Sequence, residues 1–344
     1  MLDTVKRKLL GDALPCYVIS RQPLILVSYW QDFYQRREQF SAACRGDGPI
    51  YVLAMLGWHR ETAARADELR DEALRVRQLD PRFEPIILAN SPDEQMLLAA
   101  RRIRAVFCHQ NAFLDERRYK ADPHARKRYD ALYVARITPF KRHSLAGSVH
   151  SLRLVGNWHE SERAYRDETL RQLPNASWRK KIPSPWISRE MNAARCGLCL
   201  SAEEGAMFVS AEYLLCGLPL VSTPNLGGRD QLFPADFALS VEPDPAAVAD
   251  GVAQQIARGF DPRAIREATL TRMKPHRETM INLLQTIYDS ERVGRDAAAE
   301  WPTTFRHKMG IRCRVPPQVR RTRSLFAHSP VLGTGYMNAL QKAY

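Results

Sequence analysis

The sequence predicts an α/β protein built from two parallel-sheet domains in series. Apolar runs of strand length alternate with helical patterns, and that alternation occurs twice, on either side of a charged stretch from Asp115 to Arg128. Size agrees: 344 residues fit two domains of ordinary length, and 45 % hydrophobic with 26 % charged residues is globular composition.

In the first half, Pro23-Leu-Ile-Leu-Val-Ser-Tyr-Trp reads as a buried strand, whereas Phe33 to Phe40 reads as too charged for core. Ile50-Tyr-Val-Leu-Ala-Met-Leu is continuously apolar, as expected of a strand covered on both faces. Glu61 to Leu79 is a charged helix with Ala66, Leu69, Ala73 and Val76 on one side. Pro85-Ile-Ile-Leu-Ala is the next strand. Ser91-Pro-Asp-Glu then opens a helix, with a capping hydroxyl, Pro at the first position and acids in the first turn. Ala105-Val-Phe-Cys is a third clear strand.

The second half restarts at Ala131-Leu-Tyr-Val-Ala. Strands follow at Ser151–Gly156, Gly197–Ser201, Leu218–Thr223 and Phe237–Val241. Helices are expected at Glu160–Leu173, Ile187–Ala194 and Phe208–Cys216. A further helix is capped by Asp244-Pro245 and carries Val248, Val252 and Ile256; a late one carries Met280, Leu283, Leu284 and Ile287. The expected domains are residues 1–125, 126–295 and a basic extension, 296–344.

No apolar run reaches membrane-spanning length, and the N-terminus lacks a secretory apolar region. Seven scattered cysteines argue against a disulfide framework and suit a reducing cytosol, so the expected location is cytoplasmic. Net charge is +13, and eight basic residues with no acid lie between Trp301 and Tyr344. That tail is expected either to dock on an anionic surface, such as the inner face of a membrane, or to be a solvated extension. Nucleic acid is not the expected partner.

Absences narrow the chemistry. There is no Gly-x-Gly-x-x-Gly, no P-loop, no Asp-x-Asp and no His-Glu-x-x-His, so no metal ligand set is assigned. Cys196-Gly-Leu-Cys199 has redox spacing but lies in an apolar strand and reads as buried structure. Three features remain. Arg136 and Lys141 follow a strand, with a helix expected after them, where a diphosphate would meet both charges. Glu204 and Glu212 lie two helical turns apart, and Glu212 falls within an apolar helix, where a carboxylate needs a satisfying group such as a sugar hydroxyl. Cys216-Gly217-Leu-Pro219-Leu-Val-Ser-Thr-Pro-Asn-Leu-Gly227-Gly228 is a helix stop, a strand and a glycine turn.

Together these resemble the nucleotide-sugar-binding half of GT-B glycosyltransferases, in particular the retaining group 1 family, over roughly residues 129–260. The resemblance implies two Rossmann-like domains facing a cleft. It implies that Arg136 and Lys141 neutralise the donor diphosphate in place of a metal, with no cofactor beyond the donor substrate. Glu212 would hold the nucleotide ribose. Glu204, with the backbone of Gly205, Ala206, Met207 and Phe208, would hold the transferred sugar, and Gly156 matches the family's glycine after its second strand. The family often has Glu-Gly-Phe-Gly where this chain has Glu204-Gly205-Ala206-Met207.

The family's N-terminal half supplies the acceptor site and a histidine near the sugar. His109, at a strand's carboxyl end in Phe107-Cys-His-Gln-Asn111, is the favoured candidate and His59 the other, with Trp58 read as either a sugar platform or core. The expected activity is transfer of a sugar from a nucleotide diphosphate sugar to a saccharide, lipid or protein acceptor, retaining and metal-independent. The alternative is a non-catalytic nucleotide-sugar- or polyanion-binding protein on the same scaffold.

Overall fold

The computed structural model describes residues 14–182, 184–304 and 307–308. It contains two compact units: one comprises residues up to Phe113 together with those from His276 onward, the other Leu114–Pro275. The units part after Phe113 and again after Pro275.

In the first unit, β1 (Tyr17–Arg21), β2 (Leu24–Tyr29), β3 (Ile50–Met55), β4 (Phe83–Ala89) and β5 (Ala105–Phe107) form one sheet in sequential order. β1 is antiparallel to β2 and the other pairs are parallel. α1 (Trp30–Gln35) and α2 (Arg37–Ala43) link β2 to β3, α3 (Ala63–Leu79) links β3 to β4, and α4 (Pro92–Ala99) links β4 to β5. Thr62 and Ser91 cap α3 and α4 by accepting from the Arg65 and Glu94 amides. Strand side chains alternate between faces. Leu26, Val52 and Ala54 meet α1–α4 through Trp30, Phe33, Phe40, Ala66, Leu69 and Leu98.

Phe33 and Phe40 are thus core, which corrects their reading as too charged. Phe33 points inward from α1 and Phe40 from α2, while Arg36, Glu38 and Gln39 between them are exposed.

The second unit carries six parallel strands: β6 (Tyr129–Val134), β7 (Leu152–Val155), β8 (Ala176–Arg179), β9 (Ala194–Cys199), β10 (Leu220–Ser222) and β11 (Ala238–Ser240). Their spatial order is β11-β10-β9-β6-β7-β8. The chain builds outward from β6 through β7 to β8, then returns to the other side of β6 and builds through β9, β10 and β11. The order reverses between β6 and β9, which makes their carboxyl ends the switch point where doubly wound sheets bind ligands. α5 (Arg163–Gln172), α6 (Ser184–Asn192) and α7 (Phe208–Leu215) link β7 to β8, β8 to β9 and β9 to β10, and α8 (Pro245–Arg258) follows β11. The edge strand β8 was not anticipated; its alternating, half-exposed Ala-Ser-Trp-Arg carries little apolar signal.

α9 (Pro262–Ser290) runs through the unit boundary, with Pro275 inside it, and α10 (Ala297–Thr304) follows. Met280, Leu284, Ile287, Tyr288 and Ala297 cover the second face of the first sheet, against Ile25, Val27, Leu53, Met55, Ile86 and Leu88. Trp301, where the basic stretch begins, packs on Phe113 at 6.0 Å between ring centres. The start of the expected extension is thus part of the first unit's core, while Phe305 and the basic residues from Arg312 onward lie outside the described residues. Among the described residues, no helix is long and apolar enough to cross a membrane.

Candidate functional site

The candidate donor site is at the β6/β9 switch point. The chain leaves β6 through Ala135, Arg136 and Ile137 into two 3-10 turns, Pro139–Lys141 and His143–Ala146. The helix expected directly after this strand is therefore absent. Pro139 and the left-handed Arg142 (φ 51°) between the turns favour short turns over a continuous helix. Arg142 straps the turn to its neighbours: Nε donates to the Leu200 carbonyl and an Nη to Thr223 Oγ1, both at 2.6 Å. The Tyr133 hydroxyl donates to the Lys141 carbonyl. Lys141 is thereby held with its side chain over the end of β9.

Glu204 arrives there from β9. Its amide donates to the Leu226 carbonyl at 3.0 Å, and the Leu226 amide donates to the Ala202 carbonyl at 2.8 Å, so the loops after β9 and β10 pair like a short ladder. The Lys141 ammonium donates to Glu204 Oε1, and the two side chains are 12 % and 9 % exposed. Two residues chosen independently as diphosphate ligand and sugar ligand thus form a buried ion pair. Burial, with the nearby Arg229 and Arg136 guanidiniums, pushes the Lys141 ammonium down to about 7. Arg136 is partly buried, with an Nη 3.5 Å from His159 Nε2. Burial lowers its guanidinium and Glu162 works against that.

Gly205, Ala206 and Met207 are buried and lead into α7, with Phe208 its first residue. Met207 caps the helix in the left-handed region, φ 39° and ψ 74°, the conformation a glycine adopts without cost. The position where the resembling family has its second glycine is thus one where this backbone has glycine geometry. Ser210 answers the cap by donating, through amide and hydroxyl, to the Met207 carbonyl.

Glu212 sits inside α7, buried, and its Oε1 accepts from the Tyr119 hydroxyl at 2.6 Å. The group satisfying this acid is therefore a phenol of the protein, from the charged stretch between the two halves. Arg266 fixes that segment by donating to the carbonyls of Glu116 and Tyr119 and to that of Leu215 at the end of α7. Gly156 has a packing reason: a Cβ there would fall on the Ala135 carbonyl oxygen, so glycine lets the ends of β6 and β7 close up beside Arg136.

Arg229 was missed. It is fully buried behind Gly227-Gly228 and donates to the carbonyls of Cys199, Ser201 and Thr223 while pairing with Asp230. It ties the ends of β9 and β10 to the glycine turn. An Arg-Asp pair after a turn ordinarily reads as surface, so no sequence signal marked it. Cys196 and Cys199 lie buried within β9, and burial raises both thiols, which leaves them as core.

The histidine candidates lie in the first unit. His109 follows β5 and is fully buried; its Nδ1 accepts from the Asn111 amide at 3.2 Å, so Nε2 carries the hydrogen in the neutral ring. Its own amide donates to His276 Nδ1 at 3.2 Å. His59 is also fully buried, bonded by Arg65, whose guanidinium lies 5.8 Å over the Trp58 ring. Among the described residues no group of acids, histidines or cysteines could hold a metal ion.

Solved structures share this architecture. HepE from Anabaena, in complex with UDP and glucose, matches 76 % of this chain and 80 % of its own at 16 % identity and a TM-score of 0.52. Sucrose-phosphate synthase from Thermosynechococcus elongatus matches 77 % and 74 % at 16 % identity and 0.54. The UDP-forming α,α-trehalose-phosphate synthase from Burkholderia xenovorans, in complex with glucose-6-phosphate, matches 72 % and 76 % at 14 % identity and 0.50. No protein-family model matches the sequence, and no curated protein does. At such identities the likeness is one of fold, and the fold is the GT-B one that the motifs resemble.

Proposed function

We propose that this chain is a glycosyltransferase that moves a sugar from a nucleotide diphosphate sugar to an acceptor, using side-chain cations rather than a metal to stabilise the leaving group. The observation that carries the reading is the meeting of Lys141 and Glu204 at the β6/β9 switch point. Breaking the anomeric C–O bond leaves negative charge on the β-phosphate. In this reading Arg136 and Lys141 supply the positive charge that stabilises it as it develops. In this reading the ion pair is the resting state. The donor diphosphate takes the ammonium from Glu204, and the released carboxylate accepts hydroxyls of the transferred sugar. A carboxylate has about four acceptor sites, so Tyr119 fixes the rotamer of Glu212 and ribose hydroxyls take the remainder. Retention of anomeric configuration is part of the same reading, from the motif resemblance. His109 is proposed to contribute an imidazole N–H to the reacting sugar.

HepE was solved with UDP and the trehalose-phosphate synthase is UDP-forming, so uridine donors are the first to test. The full chain is mixed with UDP-, GDP- and ADP-sugars, and thermal stability and nucleotide release are followed. The expected result is stabilisation by one nucleotide with slow donor hydrolysis. Stabilisation by none of them overturns the reading. Stabilisation without release, even with acceptors, selects the non-catalytic binding protein, which the buried Met207 side chain at the glycine position favours. The basic tail is further proposed to hold the enzyme on anionic membrane. Liposome sedimentation in low salt should then lose the protein when residues after Lys308 are removed.

A further inference from the structure

The geometry points to a second ligand site in the second unit, at the amino ends of β6, β9 and β10: a cleft that takes an organic phosphate, with the phosphate between Lys127 and Arg195 and the carbon skeleton against Ile256 and Phe260. It lies at the opposite ends of β6 and β9 from Lys141 and Glu204, so it does not rest on the donor reading.

Lys127 stands just before β6, Arg195 is the second residue of β9, and Pro219 precedes β10. The three strands are neighbours in the order β10-β9-β6 and run parallel, so these residues come together at one end of the sheet. α8 ends and α9 begins at the same end, and they add Ile256, Phe260 and Pro262. The cleft between them measures about 110 Å³, well above the roughly 15 Å³ that one water needs. Buried Gln255 also lines it and is fixed in orientation: Nε2 donates to the carbonyls of Leu220 and Phe237 at 2.8 and 3.3 Å. Gln255 Oε1 accepts from Arg258 at 3.4 Å, and that guanidinium lies 4.5 Å from the centre of the Phe260 ring. A third cation therefore stands beside the cleft.

Protein groups neutralise this charge poorly. Lys127 is half-buried and donates to the Asn192 carbonyl at 2.9 Å; among the described residues no carboxylate forms an ion pair with it. An ammonium has three donors, and that carbonyl takes one. Burial and the Arg195 guanidinium lower the ammonium's pKa, with Asp122 working against them. Arg195 has only a long contact to Asp130, 3.9 Å between side chains 47 % and 32 % exposed, and Asp130 also faces His150 at 3.4 Å. Such an exposed pair contributes little in water. Two cations that repel one another gain from an anion that bonds to both, and charge-assisted hydrogen bonds are the strong ones. The concave wall of Pro219, Ile256, Phe260 and Pro262 suits the apolar part of a small molecule.

The test titrates phenyl phosphate, inorganic phosphate and phenol calorimetrically at fixed ionic strength. It uses the full chain carrying Lys141→Ala and Glu204→Gln, so that the proposed donor diphosphate ligand does not contribute. Phenyl phosphate is expected to bind, inorganic phosphate to bind about tenfold more weakly, and phenol not to bind measurably. Lys127→Met and Arg195→Gln are each expected to weaken phenyl phosphate about tenfold, while Lys127→Arg keeps most of the affinity. Phe260→Ala should bring phenyl phosphate down to the affinity of inorganic phosphate and leave the latter unchanged. No binding of phenyl phosphate, or equal affinity in Lys127→Met and Arg195→Gln, overturns the proposal. Phenol binding as tightly as phenyl phosphate overturns the role of the cations, and an unchanged phenyl phosphate affinity in Phe260→Ala overturns the apolar half. Should Lys127→Met fail to fold, Arg195→Gln, a change at an exposed side chain, decides alone. Protein that binds phenyl phosphate through Lys127 but, as wild type, no nucleotide sugar would sink the donor reading and leave this site standing.

Discussion

The ammonium of Lys141 and the carboxylate of Glu204 are in contact across the gap between the ends of β6 and β9. Sixty-three residues separate them in the chain, and they meet because the strand order reverses between those two strands. Removing one partner leaves the other buried and uncompensated, which costs about 3 kcal/mol or more. Lys141→Ala is therefore expected to lower both stability and donor turnover, the latter on the order of 10²-fold. Lys141→Ala with Glu204→Gln is expected to recover stability but not turnover. Thermal unfolding with donor-consumption kinetics on the three proteins checks this; full turnover in either variant rejects the leaving-group role.

Donor affinity should depend on pH through the same lysine. Burial lowers its folded-state ammonium to about 7, so in the empty site the charge needed for a diphosphate is lost as pH rises through that value. Nucleotide affinity is expected to weaken between about pH 6.5 and 8.5, and Lys141→Arg, which stays charged, to flatten the profile. Parallel profiles for the two proteins would assign the dependence elsewhere.

Met207 inverts an ordinary rule. At a buried helix position alanine is normally tolerated better than glycine. Here the left-handed backbone penalises any Cβ by about 1 kcal/mol. Both truncations lose the buried thioether, so Met207→Gly should melt above Met207→Ala. The opposite order in calorimetry would show that the strain is relieved elsewhere.

Gly156→Ala places a methyl on the Ala135 carbonyl oxygen, backbone that cannot swing aside as a side chain would. The expected cost is about 3 kcal/mol or more, with weakened nucleotide binding, because the displaced strand end carries Arg136. Denaturant unfolding within about 1 kcal/mol of wild type would contradict this packing.

Burial pushes the Glu94 carboxyl from its ordinary 4.5 up to about 7, with the Asn90 and Arg60 amides opposing. The folded chain therefore keeps a proton that the unfolded chain gives up. Its contribution to stability is full below about pH 4.5 and is lost as pH rises through 7, an effect of up to about 3 kcal/mol. Glu94→Gln should remove that slope from stability measured between pH 5 and 8. A mutant curve parallel to wild type would place the titrating group elsewhere.

Much of the second unit was legible because its signals are local. Gly217 ends a helix, Pro245 starts one and apolar runs mark β9 and β10, each through the preferences of residues close in sequence. The spacing of Arg136, Lys141, Glu204 and Glu212 likewise carried the donor-half resemblance. Arg229 and Tyr119 were invisible because their partners are set by which loops become neighbours. β8 was invisible because an edge strand needs little apolar surface.

The sequence alone determined the alternation of strands and helices, and hence a parallel α/β protein in two halves, because backbone preference and hydrophobic period act over a few residues. Tertiary structure decided which strands became neighbours, that Lys141 would face Glu204, that Tyr119 would satisfy Glu212, and that α9 and α10 would return to cover the first sheet. A sheet buried on both faces needs an apolar cover on each. Here the second cover comes from Met280, Leu284, Ile287 and Tyr288, roughly 200 residues beyond the strands they shield, and no local preference encodes that distance.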